Sequence, residues 1–208
     1  MPHDFVVLLG SDGTGKSSVM AEIARSQTAW RTLSTDTGLL APEHGLITQL
    51  RRHVMDDVLP ALGRTYSAEF LAGLLQTAVL HLRDQLADRP DGKPVLMDSY
   101  YYKILAKCRL AGVPDNPMFA WWRSFPQPGR VVFLNTSPRS GWRRSGNGER
   151  LNPLEYDGSR PTWPGYRGYQ TRLRELMLEE VRTLPVTHIE EYESVTRTVQ
   201  AVREVLAS

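Results

Sequence analysis

The sequence predicts a three-layer α/β/α fold on a five-stranded parallel sheet, and three observations carry that prediction. Short apolar runs of strand length alternate with longer stretches of helical periodicity along the whole chain. The first run leads directly into a glycine-rich loop and then a helix. Later runs end at Asp36, Asp98 and Asn135, polar residues placed at the carboxyl edge where ligands collect in sheets of this kind. At 208 residues, 41% hydrophobic and 23% charged, the chain can bury one substantial core. No repeat, low-complexity tract or linker divides it, so residues 1–208 are expected to form a single domain.

Taken in order, Phe5-Val6-Val7-Leu8-Leu9 reads as a buried strand, and the helix after the glycine loop runs to about Gln27. A second strand is expected over Thr32 to Thr35, then a loop from Gly38 to Gly45. Leu46, Ile47, Leu50, Val54 and Val58 recur at helical spacing up to Leu59-Pro60. Ser67 is placed to cap a long helix in which Phe70, Leu71, Leu74, Leu75, Ala78, Val79, Leu82 and Leu86 form a wide apolar face against the sheet. Arg89-Pro90-Asp91-Gly92 reads as a turn. Pro94 to Met97 is a third strand ending in Asp98, followed by helices over Tyr101 to Leu110 and through Trp121-Trp122. Arg130 to Asn135 is a fourth strand. Residues 151–169 read as a Pro/Gly/aromatic stretch. A helix from about Gln170 to Thr183, a strand over Val186 to Ile189 and a helix over Val195 to Leu206 complete the chain.

The most specific signal is Gly10-Ser11-Asp12-Gly13-Thr14-Gly15-Lys16-Ser17, which has the spacing G-x-x-x-x-G-K-[ST] between a strand and a helix. Its glycines let successive N–H groups point inward as a nest for phosphate oxygens, and the helix adds its positive end. Lys16 can reach the outer phosphates and the Ser17 hydroxyl can ligate Mg²⁺. Residues Gly10 to Ser18 are therefore the candidate nucleotide-binding loop. Asp98 is the second candidate: a carboxylate at a neighbouring strand end can hold the metal's water shell or take a proton from an attacking hydroxyl. Capping of the following helix is the other use open to it, and the two are compatible.

A third signal is the segment Pro138 to Arg150, which carries four arginines (139, 143, 144 and 150) against Glu149, with glycines at 141, 146 and 148. Arginine is suited to a moving phosphoryl group because its planar fork offers several donors. A lid over about residues 137–158 is expected, with Arg143 and Arg144 as catalytic candidates and Arg139 as an ATP ligand. The bland alternative is a solvated charged loop. Tyr100 is the aromatic residue best placed to touch a ligand, two positions beyond Asp98; most of the other rings belong in the core.

Other classes are poorly supported. A net charge of +2 does not suggest a nucleic-acid coat. Cys108 is the single cysteine, which excludes an intrachain disulfide and a cysteine zinc cluster and fits a small buried apolar residue. The histidines at 3, 44, 53, 81 and 188 show no ligand spacing. With no apolar stretch of about 18 residues and no leader pattern, a cytoplasmic protein without membrane contact is expected.

These residues resemble the thymidylate kinase family of P-loop nucleotide kinases. Asp12, two after the first glycine of the loop, matches that family's acidic residue; Asp98-Ser99-Tyr100 lies where the family has Asp-Arg-Tyr; Asn135-Thr136-Ser137-Pro138 resembles its Asp-x-x-Pro-Glu. The resemblance spans essentially the whole chain. It implies a P-loop kinase fold and transfer of the ATP γ-phosphate, with Mg²⁺, to a small-molecule acceptor. On that basis Lys16, Asp98, Arg143 and Arg144 would be catalytic, Ser17 and Asp98 would serve the metal, and Asp12, Asp36, Gln76, Tyr100 and Arg150 would face the acceptor. No nucleic-acid partner is implied, and a homodimer is left open. Ser99 replaces the signature arginine, Thr35-Asp36-Thr37-Gly38 replaces the family's Arg-Glu-Pro-Gly-Gly-Thr element, and Leu74-Leu75-Gln76-Thr77 offers no arginine. The acceptor side has therefore diverged from a thymidylate site. The expected acceptor is a nucleotide-like molecule, with an unphosphorylated nucleoside as the alternative. A regulatory ATP switch is third.

Overall fold

Each predicted apolar run is a strand, and all of them pair in parallel. The computed structural model describes residues 5–26, 29–88 and 92–207. Its sheet comprises β1 (Phe5–Leu9), β2 (Arg31–Leu33), β3 (Val95–Asp98), β4 (Arg130–Asn135) and β5 (Val186–Glu190) in the order β2-β3-β1-β4-β5. In register, Val7 lies between Met97 of β3 and Val131 of β4. The chain leaves β1 toward one side of the sheet to make β2 and β3, then crosses to the other side to make β4 and β5. The carboxyl end of β1 is thus a switch point, the place where an open α/β sheet leaves a crevice.

Helices cover both faces because alternate strand residues are apolar in both directions. On one face α3 (Ala68–Ala87), α4 (Tyr100–Leu110), α5 (Pro117–Arg123) and α7 (Trp163–Glu180) pack on Phe5, Val7, Met97, Val131 and Phe133. On the other, α1 (Lys16–Ser26) and α8 (Val195–Ala207) pack on Leu8, Leu96, Val132 and Leu134. A smaller apolar cluster joins Leu71 and Leu154 to a π-helical turn, Val54–Val58, that extends α2 (Gly45–His53). Among the described residues no helix is long and apolar enough to cross a membrane.

Several boundaries differ from the sequence expectation for identifiable reasons. Strand β2 stops at Leu33 because the Ser34 hydroxyl accepts from the Asp36 N–H and donates to Asp98, diverting the backbone from the ladder. Helix α7 starts at Trp163, well before Gln170: Thr162 caps it by accepting from the Gly165 N–H, and Pro164 sits in the first turn, where its missing N–H costs nothing. Ser67 caps α3 as expected, accepting from Phe70 N–H at 3.0 Å. Phe70 is 48% exposed rather than core, stacked on Tyr66. The expected turn at Arg89-Pro90-Asp91 and the end of the first helix at Gln27 lie outside the described residues.

Candidate active site

The glycine loop joins β1 to α1 and bends through Gly13 (φ 73°) and Gly15 (φ 89°), left-handed conformations that a side chain would strain. Lys16 is buried at the start of α1, and its ammonium donates to the carbonyls of Gly10 (2.8 Å) and Ser11 (2.9 Å) and to Thr14 Oγ1 (3.3 Å). Burial first, and then the neighbouring Lys103, push the Lys16 ammonium down to about 7.

Asp12 is the hub of the loop. Its carboxylate takes an ion pair from Lys103 at 2.6 Å and another from Lys107 at 3.0 Å, and accepts from the Gln170 amide at 3.1 Å. Gln170 also accepts from the Asp12 N–H at 2.9 Å and donates to the Glu155 carbonyl. The Tyr166 hydroxyl donates to the Asp12 carbonyl at 3.0 Å. Burial alone would raise the Asp12 carboxyl, but Lys103, Lys107 and Lys16 hold it well below its ordinary range. Burial and the charge on Asp12 push Glu155 the other way, upward. The loop is thereby tied to α4 through two lysines one helical turn apart and to α7 through Tyr166 and Gln170.

Asp98, at the end of β3, accepts from the Ser34 hydroxyl at 3.0 Å and the Ser99 hydroxyl at 2.7 Å. These two donors aim the carboxylate, and Ser99 rather than Asp98 occupies the helix-cap position of α4. Ser99 (φ 59°) and Tyr100 (φ 46°) both sit in the left-handed region. Such strain in non-glycine residues is costly and persists where surrounding contacts fix it. Here the Ser99 N–H is held by the Leu8 carbonyl at 2.9 Å, which pins the strand ends together.

A cavity of about 670 Å³ opens between the loop, the ends of β2 and β3, and helices α2, α3 and α4. Of the predicted residues it gathers Asp12 to Ser18, Asp36, Asp98, Tyr100 and Arg144. Gly10 and Ser11 lie beneath it, supplying carbonyls to Lys16. Gln76 does not line it, because one helical step turns it away from the face shared by Leu74, Leu75 and Ala78. Arg139, Arg143 and Arg150 also lie off the cavity wall and are exposed; Arg143 donates to Ser140 Oγ and Arg150 to the Arg144 carbonyl. Arg144 alone of the four reaches the loop, donating to the Gly13 carbonyl at 3.1 Å and pairing with Glu191. The residues that the sequence did not single out are Lys103, Lys107, Glu155, Tyr166 and Gln170. The lysines carried a legible sign, their i, i+4 spacing on the helix after Asp98; the buried Gln170 carried none.

The arginine segment is a short helix, α6 (Pro138–Arg144), docked on the loop. A Cβ on Gly13 would lie 2.7 Å from Gly141 Cα, and a Cβ on Gly141 would run into the Tyr166 hydroxyl. Having no side chain, Gly141 lets α6 approach the loop. Gly146 (φ 70°) and Gly148 (φ 100°) make the turns that follow. Away from the site, Cys108 is buried and its thiol is raised by burial to about 12. Tyr101 and Tyr102 both donate to Gln127 in the core. His44 and His81 meet with ring centroids 4.7 Å apart, yet no group of three metal-ligating side chains occurs among the described residues.

No family model matches the sequence, and no curated protein matches it. Solved structures do match in fold. Deoxyadenosine kinase from M. mycoides with bound dATP is 12% identical and superposes with a TM-score of 0.60 over 98% of this chain and 99% of that one. The same enzyme with dCMP and dCDP gives 0.63 at 12% identity, covering 98% of each chain. Thymidylate kinase from Candida albicans gives 0.63 at 13% identity over 98% of this chain and 90% of its own. The chain therefore shares the fold of these nucleoside and nucleotide kinases.

Proposed function

We infer that the protein is an ATP-dependent phosphotransferase that moves the γ-phosphoryl group of ATP to a small molecule bound in the cavity beside the loop. The observation that carries this is the convergence of Lys16, Ser17 and Asp98 on one cavity that extends beyond the loop far enough to hold a second substrate. A nucleotide-binding switch would need no such chamber. The likeness in fold to deoxyadenosine and thymidylate kinases over nearly the full chain supports the same function.

The chain's own groups suit the steps. Loop N–H groups and the Lys16 ammonium hold the phosphates, the lysine exchanging its Gly10 and Ser11 carbonyls for phosphate oxygens. Arg144, already at the Gly13 carbonyl, is the arginine positioned to balance charge on the moving group. Asp98, aimed by Ser34 and Ser99, accepts the proton of an attacking hydroxyl. The Ser17 hydroxyl and the Asp98 carboxylate both line the cavity, and as hard oxygen donors they would hold Mg²⁺. When bound, that ion neutralises phosphate charge. Transfer from ATP in the presence of a suitable acceptor, read as ADP formed, should fall at least about 100-fold in Lys16→Ala and in Asp98→Asn. Unchanged rates in a folded Lys16→Ala would refute the kinase function.

A further inference from the structure

Helix α4 brings two lysines to the cavity wall, Lys103 and Lys107, four residues apart and therefore on one face. Both meet the Asp12 carboxylate, Lys103 at 2.6 Å and Lys107 at 3.0 Å, and the Gln170 amide donates to the same group at 3.1 Å. Each lysine side chain is only 15% exposed. One ammonium is enough to neutralise one carboxylate, and taking a second out of water carries a large desolvation cost. Pairing with Asp12 alone therefore does not account for both.

The two lysines differ in what else they face. Lys107 stands one turn further along α4, about 6 Å in rise beyond Lys103, and its charge falls on Asp12 and Glu155. Lys103 is the cation of α4 nearest the end of β3, because Ser99 spends its hydroxyl on Asp98 and Tyr100 to Tyr102 are buried rings. Burial alone would lower the Lys103 ammonium, but Asp12, and then Asp98, hold it above its ordinary value. Its charge in turn acts on Lys16. Lys103 thus stands where the loop, Lys16 and Asp98 meet. Arg144, by comparison, is 43% exposed and shared between the Gly13 carbonyl and Glu191. Attraction between charges is several times stronger out of water than in it, so the shielded ammonium has the greater hold on charge developing beside Lys16 and Asp98. The bond to Asp12 needs one of its three N–H groups. Lys107 and Gln170 hold Asp12 while another turns to a phosphate oxygen.

Resting on the kinase function proposed above, we propose that Lys103 is a catalytic residue: its ammonium, held where the loop meets the end of β3, bonds an oxygen of the γ-phosphoryl group as that group passes to the acceptor. The acceptor oxygen attacks the γ-phosphorus, the bond from that phosphorus to the β,γ-bridging oxygen breaks, and ADP leaves. The proton of an attacking hydroxyl passes to Asp98. Lys103 keeps its own proton and supplies charge and an N–H bond only.

The test compares Lys103→Met with Lys107→Met in the full chain, using Mg²⁺-ATP and the best-used member of a panel of nucleosides, nucleoside monophosphates and sugar-like analogues. Rates and ATP affinity are read at pH 6, where Lys16 keeps its proton in every variant, and thermal melting checks folding. Lys103→Met should lower kcat at least about 100-fold, and at least about tenfold further than Lys107→Met, while ATP affinity stays within about threefold. The same substitution is also made on an Asp12→Asn background, where no carboxylate at position 12 is left without its partner. There kcat should again fall, by at least about tenfold relative to Asp12→Asn alone. If Lys103→Met costs no more than Lys107→Met, or nothing further on the Asp12→Asn background, Lys103 only pairs with Asp12; the assignment fails and the kinase function stands. Turnover of no acceptor by unmodified protein that binds ATP overturns both.

Discussion

Lys16 carries the tightest link between environment and chemistry in this protein. Its ammonium, ordinarily near 10.5, is pushed down to about 7 by burial and by Lys103. Between those two values the unfolded chain holds the proton and the folded chain releases it, so this residue's contribution to stability rises as pH rises through that range. Nucleotide binding runs the other way, because phosphate oxygens need the charged form. ATP affinity, measured by calorimetry, should weaken as pH rises above about 7, with a proton taken up on binding. In Lys103→Gln, where a like charge is gone, the weakening should begin at higher pH; an unshifted midpoint would show that Lys103 does not set it. The pattern around Gly10 to Ser17 was legible because each fixed residue type has one local job. Lys103 and Lys107 were harder to read, since a lysine on a helix is ordinarily solvated and only the fold brings these two against Asp12.

At the scale of the element, α6 departs furthest from expectation. Four arginines and three glycines read as a lid, and composition alone did not reveal that Gly141 is a contact surface. The helix sits so close to the loop that neither Gly13 nor Gly141 can carry a side chain. Gly141→Val should displace α6, weaken ATP binding at least about tenfold and lower the melting temperature; full affinity in this variant would mean that the loop does not depend on α6. The start of α7 illustrates the opposite case. Thr162 and Pro164 form a recognisable start signal, overlooked because glycines and aromatic residues at 165–169 resemble a loop. Packing of Tyr166 and Tyr169 into the core overrides the weak helix propensity of that stretch.

For the whole molecule, the sheet and its switch point follow from patterns that are local and repeated: apolar strands, polar strand ends, one glycine loop. The loop side of the cavity wall was therefore readable from the sequence, including Asp98 and the loop itself, and Asp36, assigned to the acceptor, lines the same cavity. The rest of the cavity wall is assembled from α2, α3 and α4, elements distant in sequence whose shared face appears only once they pack. The family resemblance placed Gln76 there, and the rotation of α3 turns it out. The same packing puts Leu74 and Leu75 on the cavity wall in its place, and that placement follows from helix phase and not from any motif.

Label placed on the γ-phosphate of ATP tests the central claim most directly, followed after incubation with protein, Mg²⁺ and a panel of nucleosides, nucleoside monophosphates and sugar-like analogues. The kinase function predicts that the label appears in an organic phosphate ester, that its appearance needs an acceptor, and that Lys16→Ala abolishes it. Label released only as inorganic phosphate, at a rate no acceptor changes, would contradict it.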